Sequence, residues 1–316
     1  MATATFDRLR EQASVQAGSN PFRLIRPQSA REGLVRIPAP HPGDLYFDLE
    51  GDPFAAIPTL DYLWAFCDAD DVYSHRWAHT PDGEREAFAW LLDLLLRKDA
   101  DGGDWHVYHY NTYELTSLRR IAADWPDRAT SDFWVAEVER LISTRFVDLY
   151  RAVEAGLRTQ RGSTSLKVVE KLAGYDRAAG AADDAVSKAD DSIVAYEAFI
   201  ASEDTAERGR ILDGILDYNT HDVRATHAVH LWLHELASQL EPDDLLDEPE
   251  AYQPSAQVLE RIEQTAELRD RLQVLELETD FGKLRPQLEA DERRAQNRSG
   301  DALARRQDLG HLDGAH

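Results

Sequence analysis

The sequence lacks the features that mark secreted and membrane-spanning proteins. Cys67 is the only cysteine among 316 residues, which excludes a disulfide within the chain, and nothing else indicates secretion. The N-terminal stretch has no continuous apolar segment, and no apolar run approaches the length that spans a membrane. We therefore expect a soluble, cytoplasmic protein that does not bind membranes.

Positive charge is also scarce. The chain has 59 acidic residues against 35 Lys and Arg, which gives a formal net charge of −24. This balance argues against general, non-specific binding of phosphate, although it allows a local basic groove. Only five of the 35 basic residues are Lys. Arg suits forked phosphate contacts, but a GC-rich genome produces the same bias and is the simpler explanation.

What the sequence contains is the pattern of an α/β protein. Three strand-like runs begin at residue 44 and are separated by short, turn-rich joints, as in an antiparallel meander. A helix, a fourth strand, two further helices and a short fifth strand follow, and the chain is then helical to about residue 240. This order predicts a ribonuclease H-like mixed sheet of about five strands, flanked by helices, with a helical C-terminal part.

Three segments are predicted along the chain. Residues 1–42 form an N-terminal helix and a connector rich in Pro and Arg, and residues 43–240 form the ribonuclease H-like domain. Residues 241–316 hold an acidic linker, a polar helix at 254–276 and a tail with little apolar surface to bury.

Two carboxylates stand inside an apolar strand in the stretch DLYFDLEGDP, residues 44–53. Asp48 and Glu50 are two residues apart, so both project from the same face. Adjacent carboxylates raise each other's pKa unless a cation lies between them, and Mg²⁺ prefers oxygen ligands of this kind. The alternative is that both side chains simply reach solvent at the end of the strand.

Two later stretches add further acids. YHYNTYELTSL places Glu114 at the start of a helix that directly follows the fourth strand. YNTHD places Tyr218 and Asp222 four residues apart, and hence on one face of a helix.

Together these motifs resemble the DEDD exonuclease superfamily in its tyrosine subclass, whose closing motif is Tyr-x-x-x-Asp. The histidine subclass is excluded because Asp217 stands five residues before Asp222. More narrowly, the chain is similar over residues 43–240 to the YprB-type ribonuclease H-like domain. That branch occurs in proteins with a RecB-like nuclease upstream and a superfamily I helicase downstream. Five stretches carry the likeness, in the order GDLYFDLEGDPF, YHYNTYELTSL, SLKVVEKLAGY, SIVAYEAF and YNTHDVRATHAVHLWL.

The resemblance implies a nuclease that hydrolyses DNA or RNA by a two-metal mechanism with Mg²⁺ or Mn²⁺. It further implies cleavage from a 3′ end and a link to DNA repair or processing. Asp48 would bridge two ions, Glu50 and Asp222 would hold the ion that activates water, and Tyr218 would orient that water. Glu114 stands where the wider superfamily has Asp, and would hold the second ion. This departure and the acidic charge leave open a catalytically degenerate module that binds nucleic acid or a helicase partner.

Four further residues are predicted to contact a single-stranded DNA or RNA end: His109, Asn111, Lys167 and Asn219. His109 and Asn111 end the fourth strand beside Glu114, where plain hydrogen bonding at the strand end is an equal alternative. Lys167 follows a small-residue loop at a helix start, which is a natural place for phosphate.

Protein partners are suggested only by the resemblance. The sequence has no Gly-x-x-x-x-Gly-Lys-[Ser/Thr] loop, so it contains no helicase motor of its own. A helicase or a RecB-like nuclease is therefore a candidate partner. The leading helix and the trailing polar helix look like parts of that longer layout, which leaves open a truncated or split protein.

Three histidines, His227, His230 and His234, share one face of the last long helix. A transition-metal site would need further ligands, and we see no cysteine and no obvious carboxylate cluster to complete one. We interpret these residues as a partly packed or solvated face.

Overall fold

The structure is a computed structural model that describes residues 2–27, 33–52, 59–177 and 189–240. The predicted linker, polar helix and tail within 241–316 lie outside the described residues.

The described chain contains seven strands and eight α-helices. The strands are β1 Phe22–Leu24, β2 Leu45–Asp52, β3 Leu60–Asp68, β4 Tyr73–Trp77, β5 Val107–His109, β6 Phe146–Asp148 and β7 Leu157–Thr159. The helices are α1 Ala2–Ala17, α2 Pro81–Asp101, α3 Tyr113–Ala123, α4 Arg128–Thr144, α5 Leu149–Gly156, α6 Leu166–Leu172, α7 Ala189–Ala201 and α8 Thr205–Ser238. None of the described helices is both long and apolar enough to cross a membrane.

Five of the strands form one mixed sheet in the order β4-β3-β2-β5-β6. β2 pairs antiparallel with β3, and β3 pairs antiparallel with β4, because short joints connect them. β5 runs parallel to β2, and β6 parallel to β5, because helices form these crossovers. The predicted α/β mixed sheet of about five strands is confirmed.

The two faces of β2 have different neighbours. Phe47 and Leu49 are buried in an apolar cluster with residues of α2, α3 and α4. Tyr46 faces the other way and is buried with residues of α5 and α8. Asp48 and Glu50 share the face of Tyr46, as the alternation of a strand requires. α8 therefore lies over both carboxylates.

A second, two-stranded sheet was not expected from the sequence. β1 pairs antiparallel with β7 over three residues, from Phe22 opposite Thr159 to Leu24 opposite Leu157. β1 lies in the segment predicted as a connector. Three residues are too few to show a period-2 alternation, so no sequence pattern marks such a strand.

Candidate metal centre

The two carboxylates of β2 are enclosed rather than solvated. Glu50 is 6% exposed, and Asp48 is partly buried beneath α8. The Asn219 side-chain amide donates to Asp48 Oδ2 at 2.8 Å and lies 3.5 Å from Glu50 Oε1. These contacts exclude the alternative in which both side chains reach solvent at the end of the strand.

α8 brings a third acid to this pair. Asp222 lies one turn after Tyr218 and Asn219, so the same face of the helix presents all three side chains to β2. One oxygen each from Asp48, Glu50 and Asp222 lies within 4.8 Å of the other two. This spacing is compatible with oxygen ligands that surround a small divalent ion.

Glu114, in the first turn of α3, lies beside Asp48 but is not among the three acids whose oxygens come within 4.8 Å of one another. It is 3% exposed, and its charge is, after burial, one of the causes that raise the pKa of Asp48. The two carboxyl groups are neighbours because α3 starts directly beyond the end of β5, the parallel neighbour of β2. Glu114 Oε2 is buried and has no hydrogen-bond partner among the described residues. A buried carboxylate oxygen without a partner is costly. The position therefore suits a cation.

The structure adds a residue to which sequence reasoning gave no role. Ser192, at 1% exposure in α7, donates to Glu50 Oε2 at 2.6 Å. Its Oγ also lies 2.8 Å from the hydroxyl of Tyr62 on β3. Ser192 belongs to the stretch SIVAYEAF, but a serine on an apolar helix carries no signal of its own until the helix is placed on the sheet.

Burial and mutual repulsion raise the pKa values of these acids. Burial, and then the charges of Asp222 and Glu50, raise the pKa of Asp48 well above its usual value. Burial, and then Asp222, raise the pKa of Glu50 to about 8, although Ser192 and Asn219 oppose this rise. Burial also raises the pKa of Asp222, against the nearby charge of Arg177. Without a cation, the group therefore retains protons at neutral pH.

Arg177 is a second residue that the sequence did not identify. Its guanidinium binds Glu170 of α6 through two hydrogen bonds, of 2.8 and 2.6 Å. The same Nη2 that binds Glu170 also donates to Asp222 Oδ1. Arg177 and Asp222 are 45 residues apart in the chain, so no local pattern predicts their contact.

Tyr218 lies between the carboxylates and two cations. It is 5% exposed, and its pKa is raised by burial and then by the charges of Asp222, Glu50 and Asp48. Lys167 Nζ is 4.6 Å from the centroid of its ring, and the guanidinium carbon of Arg177 is 5.7 Å away. The hydroxyl therefore keeps its proton at neutral pH.

The four residues that the sequence predicts to contact the substrate differ in their burial and in their neighbours. His109 is fully buried, and its Nδ1 is 3.5 Å from Glu114 Oε2. Asn219 is also fully buried, and its Oδ1 accepts from the Tyr73 hydroxyl at 2.9 Å. Asn111 is exposed, has a left-handed backbone with φ of 87°, and lines a groove of about 510 Å³. That groove continues along residues 162–166, next to Lys167 in the chain.

His227, one of the three histidines on α8, lies close to Cys67 and Asp71, which are distant from it in the sequence. Cys67, Asp71 and His227 each place one potential ligand atom within 4.8 Å of the others. Asp71 Oδ2 already lies 3.3 Å from Arg224 Nε, and the Cys67 thiol contacts the Val223 carbonyl at 3.8 Å. We assign this group to holding the turn between β3 and β4 against α8.

Comparison with known proteins gives one match. The family model of the ribonuclease H superfamily matches residues 45–234, a range that contains every site residue described above. No curated protein and no solved structure gives a significant match to the chain.

Proposed function

The chain belongs to the ribonuclease H superfamily, and we propose that it is a metal-dependent nuclease that hydrolyses phosphodiester bonds of DNA or RNA. The observation that supports this most strongly is the convergence of Asp48, Glu50 and Asp222 from elements far apart in sequence. Structural ion pairs also perturb pKa values. In this cluster, however, three carboxylates lie next to one another, and a bound cation would reduce their mutual repulsion.

The residues fit Mg²⁺ or Mn²⁺. Asp48, Glu50, Glu114 and Asp222 offer only oxygen ligands, which these ions prefer. The Oε2 of Glu114 is buried and has no hydrogen-bond partner among the described residues. The raised pKa of Glu50 indicates a place that a proton fills and a cation could take. In the proposed assignment, Asp48, Glu50 and Asp222 would hold one ion, and Asp48 and Glu114 would hold a second.

When bound, such ions supply Lewis-acid activation of water and stabilise the leaving oxygen of the phosphodiester. The chain's own residues position these components. Tyr218 keeps its proton at neutral pH and donates a hydrogen bond that orients the attacking water. Asn219 and Ser192 each donate to a carboxylate of β2, so they fix its rotamers. We propose that Asn219 acts in this way rather than by touching the substrate.

A substrate path is proposed along the groove that Asn111 lines. Lys167 directly follows Leu166, which lines this groove, and its Nζ lies over the ring of Tyr218, where the ammonium group can bind a backbone phosphate. His109 would act through Glu114, whose Oε2 it faces. Cleavage from a 3′ end, release of nucleoside monophosphates and a link to DNA repair are carried over from the DEDD-type resemblance.

The experiment compares wild type with Asp48→Asn and Asp222→Asn on single-stranded DNA and RNA, labelled at either end, with Mn²⁺. We expect metal-dependent cleavage that falls by at least roughly 100-fold in both variants, because each removes a charged ligand. Asp217→Asn is the matched control, since Asp217 lies on α8 with its side chain 46% exposed, and it should cleave like wild type. The labelled end that shortens first gives the polarity.

A second candidate is a catalytically degenerate module that binds nucleic acid or a helicase. The contact between Arg177 and Asp222 favours it, because this guanidinium neutralises a carboxylate that an ion would otherwise need. Folded wild-type protein that binds Mn²⁺ and labelled oligonucleotides but cleaves neither DNA nor RNA would support this module and contradict the nuclease.

A further inference from the structure

We propose that Arg177 binds a phosphate of the nucleic acid, and that its contact with Asp222 keeps it from doing so until divalent ions are bound. When divalent ions bind the carboxylates, the guanidinium leaves Asp222, stays anchored on Glu170, and binds a phosphodiester oxygen of the substrate. This inference rests on the proposed function, and it names the residue that couples ion binding to substrate binding at that site.

Arg177 makes two hydrogen bonds to Glu170 but only one to Asp222. Two of its nitrogens bind the two oxygens of Glu170, in the forked geometry that Arg prefers for a carboxylate. Only Nη2 reaches Asp222, and that nitrogen is shared with Glu170. Loss of the Asp222 contact therefore leaves the forked pair intact. Glu170 itself is 1% exposed and keeps the side chain in place.

Repulsion between positive charges explains why Arg177 would leave Asp222 when an ion binds. The positive charge of Arg177 opposes the rise in the pKa of Asp222 that burial causes, so the guanidinium already acts in part as the cation at this carboxylate. An ion that binds Asp48, Glu50 and Asp222 would lie close to this guanidinium, and the two positive charges would repel each other. Arg177 keeps its forked pair with Glu170 whether or not it contacts Asp222, so Arg177 would give up the Asp222 contact when this carboxylate holds an ion.

The released guanidinium would remain beside Tyr218. Arg177 and Lys167 both lie over the ring of Tyr218, so two cations border the point from which Tyr218 would orient water. The Arg177 side chain is 21% exposed, and a ligand from solvent can therefore reach it. A guanidinium binds phosphate through two parallel hydrogen bonds more readily than an ammonium group does.

The test uses two measurements on Arg177→Ala. Calorimetric titration with Mn²⁺, without nucleic acid, should show binding roughly tenfold tighter than wild type, since a competing cation is removed. Binding of a labelled single-stranded oligonucleotide in the presence of Ca²⁺, followed by fluorescence anisotropy, should weaken by roughly tenfold, and the salt dependence should fall by about one charge. In cleavage, KM should rise more than kcat falls.

Two further variants separate this role from a structural one. Arg177→Lys keeps the charge and should bind Mn²⁺ like wild type, yet bind the oligonucleotide less tightly, because the fork is lost. Arg224→Ala removes an arginine of α8 that pairs with Asp71, and should change neither value.

These measurements distinguish failure of the proposal for Arg177 from failure of the nuclease assignment. Weaker Mn²⁺ binding by Arg177→Ala, or oligonucleotide binding equal to that of wild type, would overturn the proposal and assign Arg177 to structure alone. If the wild type cleaves nothing, the nuclease assignment fails. The opposite shifts in ion and oligonucleotide affinity would still support the coupling, because neither measurement depends on turnover.

Discussion

At the scale of single residues, the site is defined by carboxylates that are held close together against their mutual repulsion. Asn219 and Ser192 donate hydrogen bonds to Asp48 and Glu50, and Arg177 donates one to Asp222. These contacts reduce the cost of burial without removing it, because the pKa of all three acids remains raised. The metal-free protein therefore carries an electrostatic penalty that depends on pH.

We predict that the metal-free protein loses stability as the pH rises through neutrality. The pKa of Glu50 is raised from 4.5 to about 8, so the folded state holds a proton that the unfolded state has released. Below pH 4.5 both states are protonated; above about 8 both are ionised, and the penalty is complete. Between these limits the free energy of unfolding should fall by up to about 1.4 kcal/mol per pH unit for one proton.

The measurement is the melting temperature in EDTA between about pH 6 and pH 8, for wild type and for Glu50→Gln. The substitution removes the titrating group while keeping its shape, so the slope should become flatter. Asp217→Asn is the control, and its slope should match that of wild type. Equal slopes in wild type and Glu50→Gln would mean that Glu50 is ionised in the folded, metal-free state.

At the scale of elements, a buried ion-pair network holds α3, and with it Glu114, against the sheet. The Arg120 guanidinium of α3 lies 2.7 Å from both Asp61 of β3 and Glu84 of α2. The Tyr113 hydroxyl donates to the same Asp61 at 2.6 Å. Asp61 is fully buried and Glu84 is 5% exposed, so both carboxylates depend on Arg120 for compensation.

We predict that Arg120→Met destabilises the fold by about 3–5 kcal/mol, because it leaves two buried carboxylates without their cation. Urea denaturation measures the loss. The adjacent Arg119→Met is the matched control: Arg119 pairs with Glu139, and both side chains are about half exposed. It should cost less than about 1 kcal/mol. Similar losses in the two variants would show that the network contributes no more than a surface pair.

At the scale of the whole molecule, the predicted N-terminal segment is attached to the described core at several points. The Ile25 amide donates to the Gly156 carbonyl at 2.8 Å, and Gln12 donates to the Thr159 carbonyl at 2.9 Å. Leu34 is 2% exposed and packs in the apolar cluster that α5 and α8 share. The predicted domain boundary at residue 43 stays a prediction, and the stability contributed by Leu34 tests it.

We predict that Leu34→Ala lowers the free energy of unfolding by about 2–5 kcal/mol, since it opens a cavity in that cluster. Leu9→Ala is the control, because Leu9 is 65% exposed, and it should change stability by less than about 0.5 kcal/mol. Chemical denaturation of both variants checks this. If Leu34→Ala proves as mild as Leu9→Ala, residues 1–42 behave as a segment separate from the domain.

The sequence by itself determined the main sheet, and it identified the acids of the candidate site. β2 and β3 are strands of eight and nine residues that are rich in apolar side chains. The alternation within β2 places Asp48 and Glu50 on one face before any fold is known. The four-residue spacing of Tyr218 and Asp222 does the same on α8. Each of these spacings involves residues of a single strand or helix, so it can be recognised in the sequence alone.

Only the tertiary structure decided which groups stand beside those acids. Arg177 reaches Asp222 across 45 residues, and Ser192 reaches Glu50 across 142, so their roles follow from how α6, α7 and α8 pack on the sheet. The packing of α8 on the sheet also brings Cys67 and Asp71 to His227, and β1 pairs with β7, which lies far from it in the chain. A contact between distant segments leaves no periodic trace in either one, because its cause is the burial of surfaces that form only when the chain folds.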